Sequence, residues 1–400
     1  MKVLVIGSRI PYPLHDGGAI ATYNLLKGLS DQGVDVSFAS LNTNKHFASQ
    51  AAITDNFSFL KSVKTFDIDT DISAFGALKN LFSSKSYNIE RFYNKTFEQE
   101  ICQLIGINHF DVIHFEGLFV AAYATAIKKI TKTPLLLRQH NIEYNIWKTL
   151  AKDSTFPKKP YLKLLANRIE QFEKKIIHLF DSIVTITEND EKEIRDLGYQ
   201  GLLTQIPAGI EVADKQNDVA INGNQIYHIG SMEWMPNQQA MDWFHVDIWP
   251  LIHSKNQSAE FYMAGKNMPG KYLEMHEQGF FVLGEVNDLN DFVKDKSILV
   301  VPLKSGSGIR IKTIEAMLAQ KAVVTSSQGA MGLAIKHGEH CLIADTAEDF
   351  ATAVLSLLDD PLLRDKLADN GRTFALENFS NTAVSARWKT FYLSLSKSII

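Results

Sequence analysis

The chain has only two cysteines in 400 residues, Cys102 and Cys341. They cannot form a multi-disulfide framework, and they are too few for a four-cysteine zinc site. A reducing compartment fits this usage. No His-Glu-x-x-His and no paired Cys-x-x-Cys occurs, so zinc chemistry has no support. No apolar run approaches the ~20 residues that span a bilayer. The N-terminus, Met1 to Gly7, reads as a short strand entering a glycine turn and lacks the apolar core of a secretory signal. The expectation is a cytoplasmic chain, with peripheral contact at the inner face of the cell membrane left open. Positive charge is not in excess: 41 Lys and Arg face 45 Asp and Glu, a net charge of −4. That argues against a general electrostatic nucleic-acid binder. No Gly-x-Gly-x-x-Gly opens a strand–helix unit, which disfavours a dinucleotide-dependent dehydrogenase.

The composition is that of a folded protein, 45% hydrophobic and 22% charged. Its length exceeds one ordinary domain, so two domains of roughly 150–200 residues are expected. Lys2–Ile6 is a β-rich run of the kind buried on both faces of a parallel sheet. A loop from Gly7 to Gly18 leads into a helical pattern, Ile20–Ser30, and Val34–Leu41 is the second strand, a βαβ unit. Strands follow at Val63–Phe66, Val112–Phe115, Pro134–Arg138, Ile183–Thr187 and Leu202–Ile206. Pro207-Ala208-Gly209 breaks the pattern, and Asp214–Asn224 reads as a linker. The alternation restarts with Gln225–Ile229, a helix Gln238–Phe244, and strands at Ala259–Ala264, Phe280–Leu283, Ile298–Pro302 and Ala322–Ser326. A helical finish runs from Glu348, interrupted near Gly371 and Phe379–Ser380. Two such series predict two doubly wound α/β domains, with ligands beyond the C-terminal ends of the strands.

The most informative loop comes after Val300-Val301-Pro302. Gly306, Ser307 and Gly308 open directly into a helix carrying Arg310, Lys312 and Glu315. Free N–H groups at a helix start attract phosphate, and glycines admit it closely. Two cations in the first turn oppose the helix dipole, which costs a few tenths of a kcal/mol unless an anion compensates (~0.3–1 kcal/mol). A carboxylate one turn later suits ribose hydroxyls. The alternative is a tight turn with two solvated cations.

This segment resembles the C-terminal signature of family 4 glycosyltransferases, in which a glutamate-alanine-methionine helix follows the donor loop; Glu315-Ala316-Met317 matches it. The resemblance implies the GT-B fold, two Rossmann-like domains facing across a cleft. It also implies an N-terminal acceptor-side domain at 1–206, a nucleotide-sugar domain at 207–378, and a C-terminal helix at 379–400 that crosses back. The family's second glutamate, eight positions before the first, is here Ser307. Gly17 and Gly18 lie before a helix like the family's N-terminal glycine loop, which faces the donor phosphates. Arg138-Gln139-His140-Asn141-Ile142-Glu143 resembles the loop whose histidine reaches the reacting sugar, with Glu143 placed to fix the loop. The Gly230–Asn237 loop lacks the arginine and lysine that the family places near there to neutralise the diphosphate, leaving Arg310 and Lys312 as the replacements. Val286, in Gly284-Glu285-Val286, matches the loop that meets the base.

The resemblance therefore implies a retaining, metal-independent hexosyltransferase in polysaccharide or glycoconjugate assembly. His140, Arg310 and Lys312 are its catalytic candidates. Gly17, Gly18, Gly230, Val286, Gly306, Ser307, Gly308 and Glu315 form the donor-binding set. Its partners are a nucleoside diphosphate sugar and a glycan or lipid-linked acceptor, with no cofactor beyond the donor. An epimerase or hydrolase on the same fold, or a non-catalytic carbohydrate- or nucleotide-binding protein, stands beside it. Two further features read both ways. Asp67, Asp69 and Asp71 suit either a divalent-metal motif or an ordinary turn. Tyr161, Leu165, Ile169, Phe172 and Ile176 form an apolar stripe among lysines, which suits anionic lipid or the protein core.

Overall fold

The computed structural model describes residues 1–212, 223–275, 277–306 and 308–397. Ser307, and the expected linker as far as residue 222, lie outside them. The chain divides into two compact units, Met1–Ile210 with Asn381–Ile400, and Glu211–Ser380.

The first unit is built on β1 (Lys2–Gly7), β2 (Asp35–Thr43), β3 (Ser62–Ile68), β4 (Val112–Glu116), β5 (Leu135–Gln139), β6 (Ser182–Thr185) and β7 (Leu202–Gln205). All pair in parallel, in the order β3-β2-β1-β4-β5-β6-β7. Side chains of β1 alternate between two cores, as a strand dictates. Leu4 and Ile6 join one with Phe115 and Leu137, while Val3 and Val5 join the other with Leu25, Leu29, Trp388 and Tyr392. The helices Gly17–Asp31 and Asn381–Lys397 therefore share one face of this sheet. They cross closely, because an added Cβ on Gly28 would stand 1.9 Å from Ser385 Oγ and 2.9 Å from its Cβ.

The second unit repeats the plan with β8 (Gln225–Ile229), β9 (Glu260–Ala264), β10 (Phe280–Gly284), β11 (Ile298–Val301), β12 (Ala322–Thr325) and β13 (Leu342–Ile343). Its strands are parallel and ordered β10-β9-β8-β11-β12-β13. In both sheets the strand order reverses once, between β1 and β4 and between β8 and β11. The loops after those strands are where such sheets bind ligands.

Several boundaries differ from the sequence reading for identifiable reasons. The first helix begins at Gly17 rather than Ile20, because Asp16 caps it through the Gly18 and Ala19 N–H groups. The helix after β8 begins at Met235, with Pro236 in its first turn, and continues through a π turn at Phe244–Ile248 into Trp249–Lys255. Gly371 does not interrupt its helix, which runs unbroken over Pro361–Phe379. A Cβ there would lie 3.1 Å from the His340 carbonyl oxygen, so the glycine serves close packing. The helical finish breaks instead at Asp360-Pro361, where Asp360 caps the next helix, and also at Ser380, where the sequence placed an interruption.

The tight crossing of the first and last helices makes Gly28→Ala a direct test of the packing. In an open helix this change gains about 1 kcal/mol. Here the overpacking is expected to outweigh that gain, for a net loss of about 1–3 kcal/mol in denaturant unfolding. A stabilised Gly28→Ala protein would contradict the crossing.

Candidate active site

In the second unit, the loop from Pro302 to Arg310 joins β11 to the helix Ile311–Leu318. Gly306 (φ 103°) and Gly308 (φ 86°) occupy the left-handed region that favours glycine. The loop closes on itself: Arg310 Nη1 donates to the Gly308 carbonyl at 3.0 Å, and Arg310 Nη2 to that of Gly306 at 2.9 Å. Gln328 Nε2 donates to the same Gly306 oxygen at 2.6 Å. The Arg310 guanidinium is buried and lies 5.1 Å from the centre of the Trp234 ring, in the loop after β8.

Lys312 reaches the same loop. Its Nζ donates to Asn237 Oδ1 at 3.0 Å and lies 3.2 Å from His228 Nε2. His228 Nδ1 faces the Val300 carbonyl at 2.9 Å, so Nδ1 carries the proton and Nε2 accepts from the lysine. A Cβ on Gly230 would stand 2.5 Å from Lys312 Nζ. The two cations that the Gly230 loop lacks in sequence are thus supplied to it in space by the helix after β11. Both hydrogen-bond partners of Lys312 are neutral, and among the described residues no carboxylate lies within salt-bridge distance of it. Burial, with the Arg310 charge beside it, pulls Lys312 down to about 7, while Glu315 opposes the shift. His228 is held well below its ordinary range by burial and by Lys312. Glu315, one turn on, is half-buried and pushed upward by burial, Lys312 countering.

The first unit holds an opposite arrangement at its own switch point. Glu116 ends β4 and is buried. Its Oε1 accepts from Arg138 Nη1 at 2.9 Å, Thr22 Oγ1 at 3.0 Å and His140 Nε2 at 2.7 Å. Its Oε2 accepts from His114 Nε2 at 2.8 Å. Register explains two of these contacts: Arg138 on β5 stands directly beside Glu116, and His114 shares its face two residues earlier. Burial alone would raise Glu116; Arg138, His140 and His114 together hold it well below the carboxylate range. His140 is the group in this cluster with some exposure, 21% of its side chain. The segment that carries it is also held from below, because Glu173 accepts from Gln139 Nε2 at 2.9 Å and from the Tyr144 N–H at 3.2 Å. Glu143, expected to fix this loop, has no side-chain hydrogen bond among the described residues, and burial pushes it up to about 7.

Of the other candidates, Gly17 and Gly18 open the helix that follows the β1 loop and sends Thr22 to Glu116. At Gly17 and Gly18 the helix N-terminus already carries its own carboxylate, Asp16, which accepts the Gly18 N–H at 3.0 Å. Arg9 binds Asp16 through two nitrogens, at 2.8 and 2.5 Å, and draws it down to about 2. Val286 comes after β10 at the edge of the second sheet, two strands from β8. Ser307 lies outside the described residues. Asp67 accepts from Asn42, and Asp69 accepts from Asn44 and the Asp71 N–H, so these aspartates tie down a turn. In the helix Lys158–Ile176, Leu165, Ile169 and Ile176 are buried and Phe172 packs against the core, so the apolar stripe faces inward. No helix among the described residues is long and apolar enough to cross a membrane. Sequence reasoning missed Glu116, His114, His228, Asn237 and Tyr392. The signal for the first two was a histidine and a glutamate two apart in an otherwise apolar strand.

An ammonium held among neutral acceptors should titrate early. Lysine-specific labelling or NMR of methylated lysines should find Lys312 near pH 7, against ~10.4 for an ordinary lysine. Between those values the unfolded chain binds the proton and the folded one does not. Stability should therefore rise with pH across that window in the native protein relative to Lys312→Met. An ordinary titration would refute this environment.

The description "Glycosyltransferase Family 4" belongs to a family model that matches residues 15–214, half of the chain, and "Glycosyl transferases group 1" to one that matches residues 223–360. A 44.6 kDa protein in the cps region of Klebsiella pneumoniae is 23% identical, covering 96% of this chain and 97% of its own length. A glycosyltransferase from Rickettsia africae superposes with a TM-score of 0.66 at 13% identity, over 99% of this chain and 98% of its own. HepE from Anabaena, solved in complex with UDP, gives 0.63 at 15% identity over 98% and 100%. Sucrose-phosphate synthase from Thermosynechococcus elongatus gives 0.63 at 14% identity over the whole of both chains. Two parallel sheets of the GT-B kind, and a family model spanning half the sequence, establish that the chain belongs to the group 1, family 4 glycosyltransferases.

Proposed function

We propose that this glycosyltransferase moves a hexose from a nucleoside diphosphate sugar to a hydroxyl acceptor, with retention of anomeric configuration and without a metal ion. The observation that carries the reading is Lys312, a half-buried ammonium with neutral partners, set beside the Arg310 guanidinium at the head of a glycine-rich loop. Two cations set together at a glycine-rich helix start are complementary to an anion. A departing diphosphate develops negative charge, and fixed cations stabilise it without reorganising at the moment of reaction. Glu315 would accept from the ribose hydroxyls. His140 would meet the reacting sugar, and the donor phosphate would help to take the acceptor's proton, as family resemblance implies. HepE was solved with UDP and with UDP-glucose, which makes UDP-hexoses the first donors to try. The Klebsiella relative from a cps region favours a polysaccharide or glycoconjugate setting, with a glycan or lipid-linked acceptor. A cytoplasmic location, with the enzyme meeting a lipid-linked acceptor at the membrane face, would suit that role.

Calorimetry with UDP, GDP and ADP, without added metal, followed by turnover of the matching hexose donor, tests this. One nucleotide should bind at micromolar concentration. Arg310→Ala and Lys312→Met should each lower turnover about 100- to 1,000-fold while both proteins stay folded at the assay pH. Donor turnover that needs no acceptor would favour a hydrolase or epimerase. Binding without any turnover would favour a non-catalytic module.

A further inference from the structure

We propose that Glu116 is a positioning residue which, with Tyr392 and His114 behind it, fixes His140 with its proton on Nε2 and so presents Nδ1 to the reacting sugar. This rests on the reading of His140 as the group that meets that sugar.

Donors and acceptors dictate the arrangement. An ionised carboxylate only accepts, so each nitrogen within hydrogen-bond distance of Glu116 must bring a proton. His140 Nε2, at 2.7 Å, is therefore the protonated nitrogen, which leaves Nδ1 for a ligand. The same logic orders the groups behind Glu116. His114 Nε2 must donate to Glu116, so His114 Nδ1 accepts, and the fully buried Tyr392 hydroxyl donates to it at 2.5 Å. Burial holds His114 below its ordinary range, Glu116 opposing, and lifts Tyr392 well above its own, so both stay neutral and the order persists. Thr22 and Arg138 complete the set of donors around Glu116, and the Trp388 ring stacks near His114 and Arg138. A carboxylate needed only to neutralise Arg138 would require none of the histidines. Instead the most accessible member of the cluster hangs on it. Tyr392 and Trp388 belong to the helix Asn381–Lys397, so the C-terminal end of the chain sets a tautomer at the end of β5 without touching a substrate.

The test is NMR of the full chain labelled with 15N-histidine, read beside steady-state kinetics. In the native protein the His140 ring should show the Nε2–H tautomer. Glu116→Gln should give mixed tautomers and a kcat lowered about 10- to 100-fold, as when the carboxylate behind a metal-bound histidine is removed. Nucleotide affinity in the second unit should not change. Glu116→Gln strands a buried guanidinium and could unfold the unit. Tyr392→Phe keeps every charge and ring, and it should still shift the His114 and His140 signals and lower kcat several-fold. Native His140 signals and native kcat in either folded variant overturn the proposal. His140→Ala separates the two readings. Full turnover in His140→Ala removes that histidine from the reaction, and the proposal falls with it. Lost turnover there beside native turnover in Glu116→Gln overturns the positioning role alone.

Discussion

Taking a charge out of water costs several kcal/mol unless something answers it, and the two units meet that constraint in opposite ways. In the first, the buried Glu116 is surrounded by Arg138, two histidines and a threonine hydroxyl, and it stays ionised because the answer is built in. In the second, Lys312 has among the described residues an amide oxygen and a neutral imidazole as partners, and it answers the cost by giving up its proton easily. A satisfied charge organises its neighbours. An ammonium with neutral partners, set beside a guanidinium, is what the proposed diphosphate would suit.

The sheets explain why these charges sit where they do. Parallel strands buried on both faces leave their C-terminal ends as the places where polar side chains can gather. Glu116 closes β4 and Gln139 closes β5, so His140 is the first residue released into the loop. The same geometry brings α-helical Lys312, beyond β11, against Gly230, beyond β8. Close backbone approach is part of this construction. An added Cβ on Gly265 would overlap the Gly230 carbonyl oxygen at 1.8 Å, and one on Gly306 would meet the Trp234 ring at 2.6 Å. These glycines let three loops converge within one unit.

Much of this was legible in the sequence. Runs such as Lys2–Ile6 and Ile298–Pro302 announce buried parallel strands, and twelve of the thirteen strands fall where the apolar runs lie. The exception, β13, has two residues and depends on its neighbour for existence. Arg310 and Lys312 were visible because cations at a helix start are locally unfavourable, and Glu315 because it opens the Glu-Ala-Met run one turn on. Glu116 was not, because its meaning comes from β5 and from a helix nearly 280 residues later, as the contact between His114 and Tyr392 records. Gly371 misled in the other direction, since a glycine chosen for close packing looks like a helix break when its neighbours are unseen. Asp16 shows the same limit: its position before Gly17 is plain, but Arg9's grip on it is not.

If a nucleoside diphosphate supplies the counter-charge that Lys312 lacks, its binding must be linked to a proton. Calorimetric titration at pH 8, in two buffers of different ionisation enthalpy, measures the protons taken up when the nucleotide binds. With Lys312 near 7 in the free protein, binding should draw in on the order of one proton, and Lys312→Met should abolish that uptake. Binding with no proton uptake, or with the same uptake in Lys312→Met, would contradict that linkage.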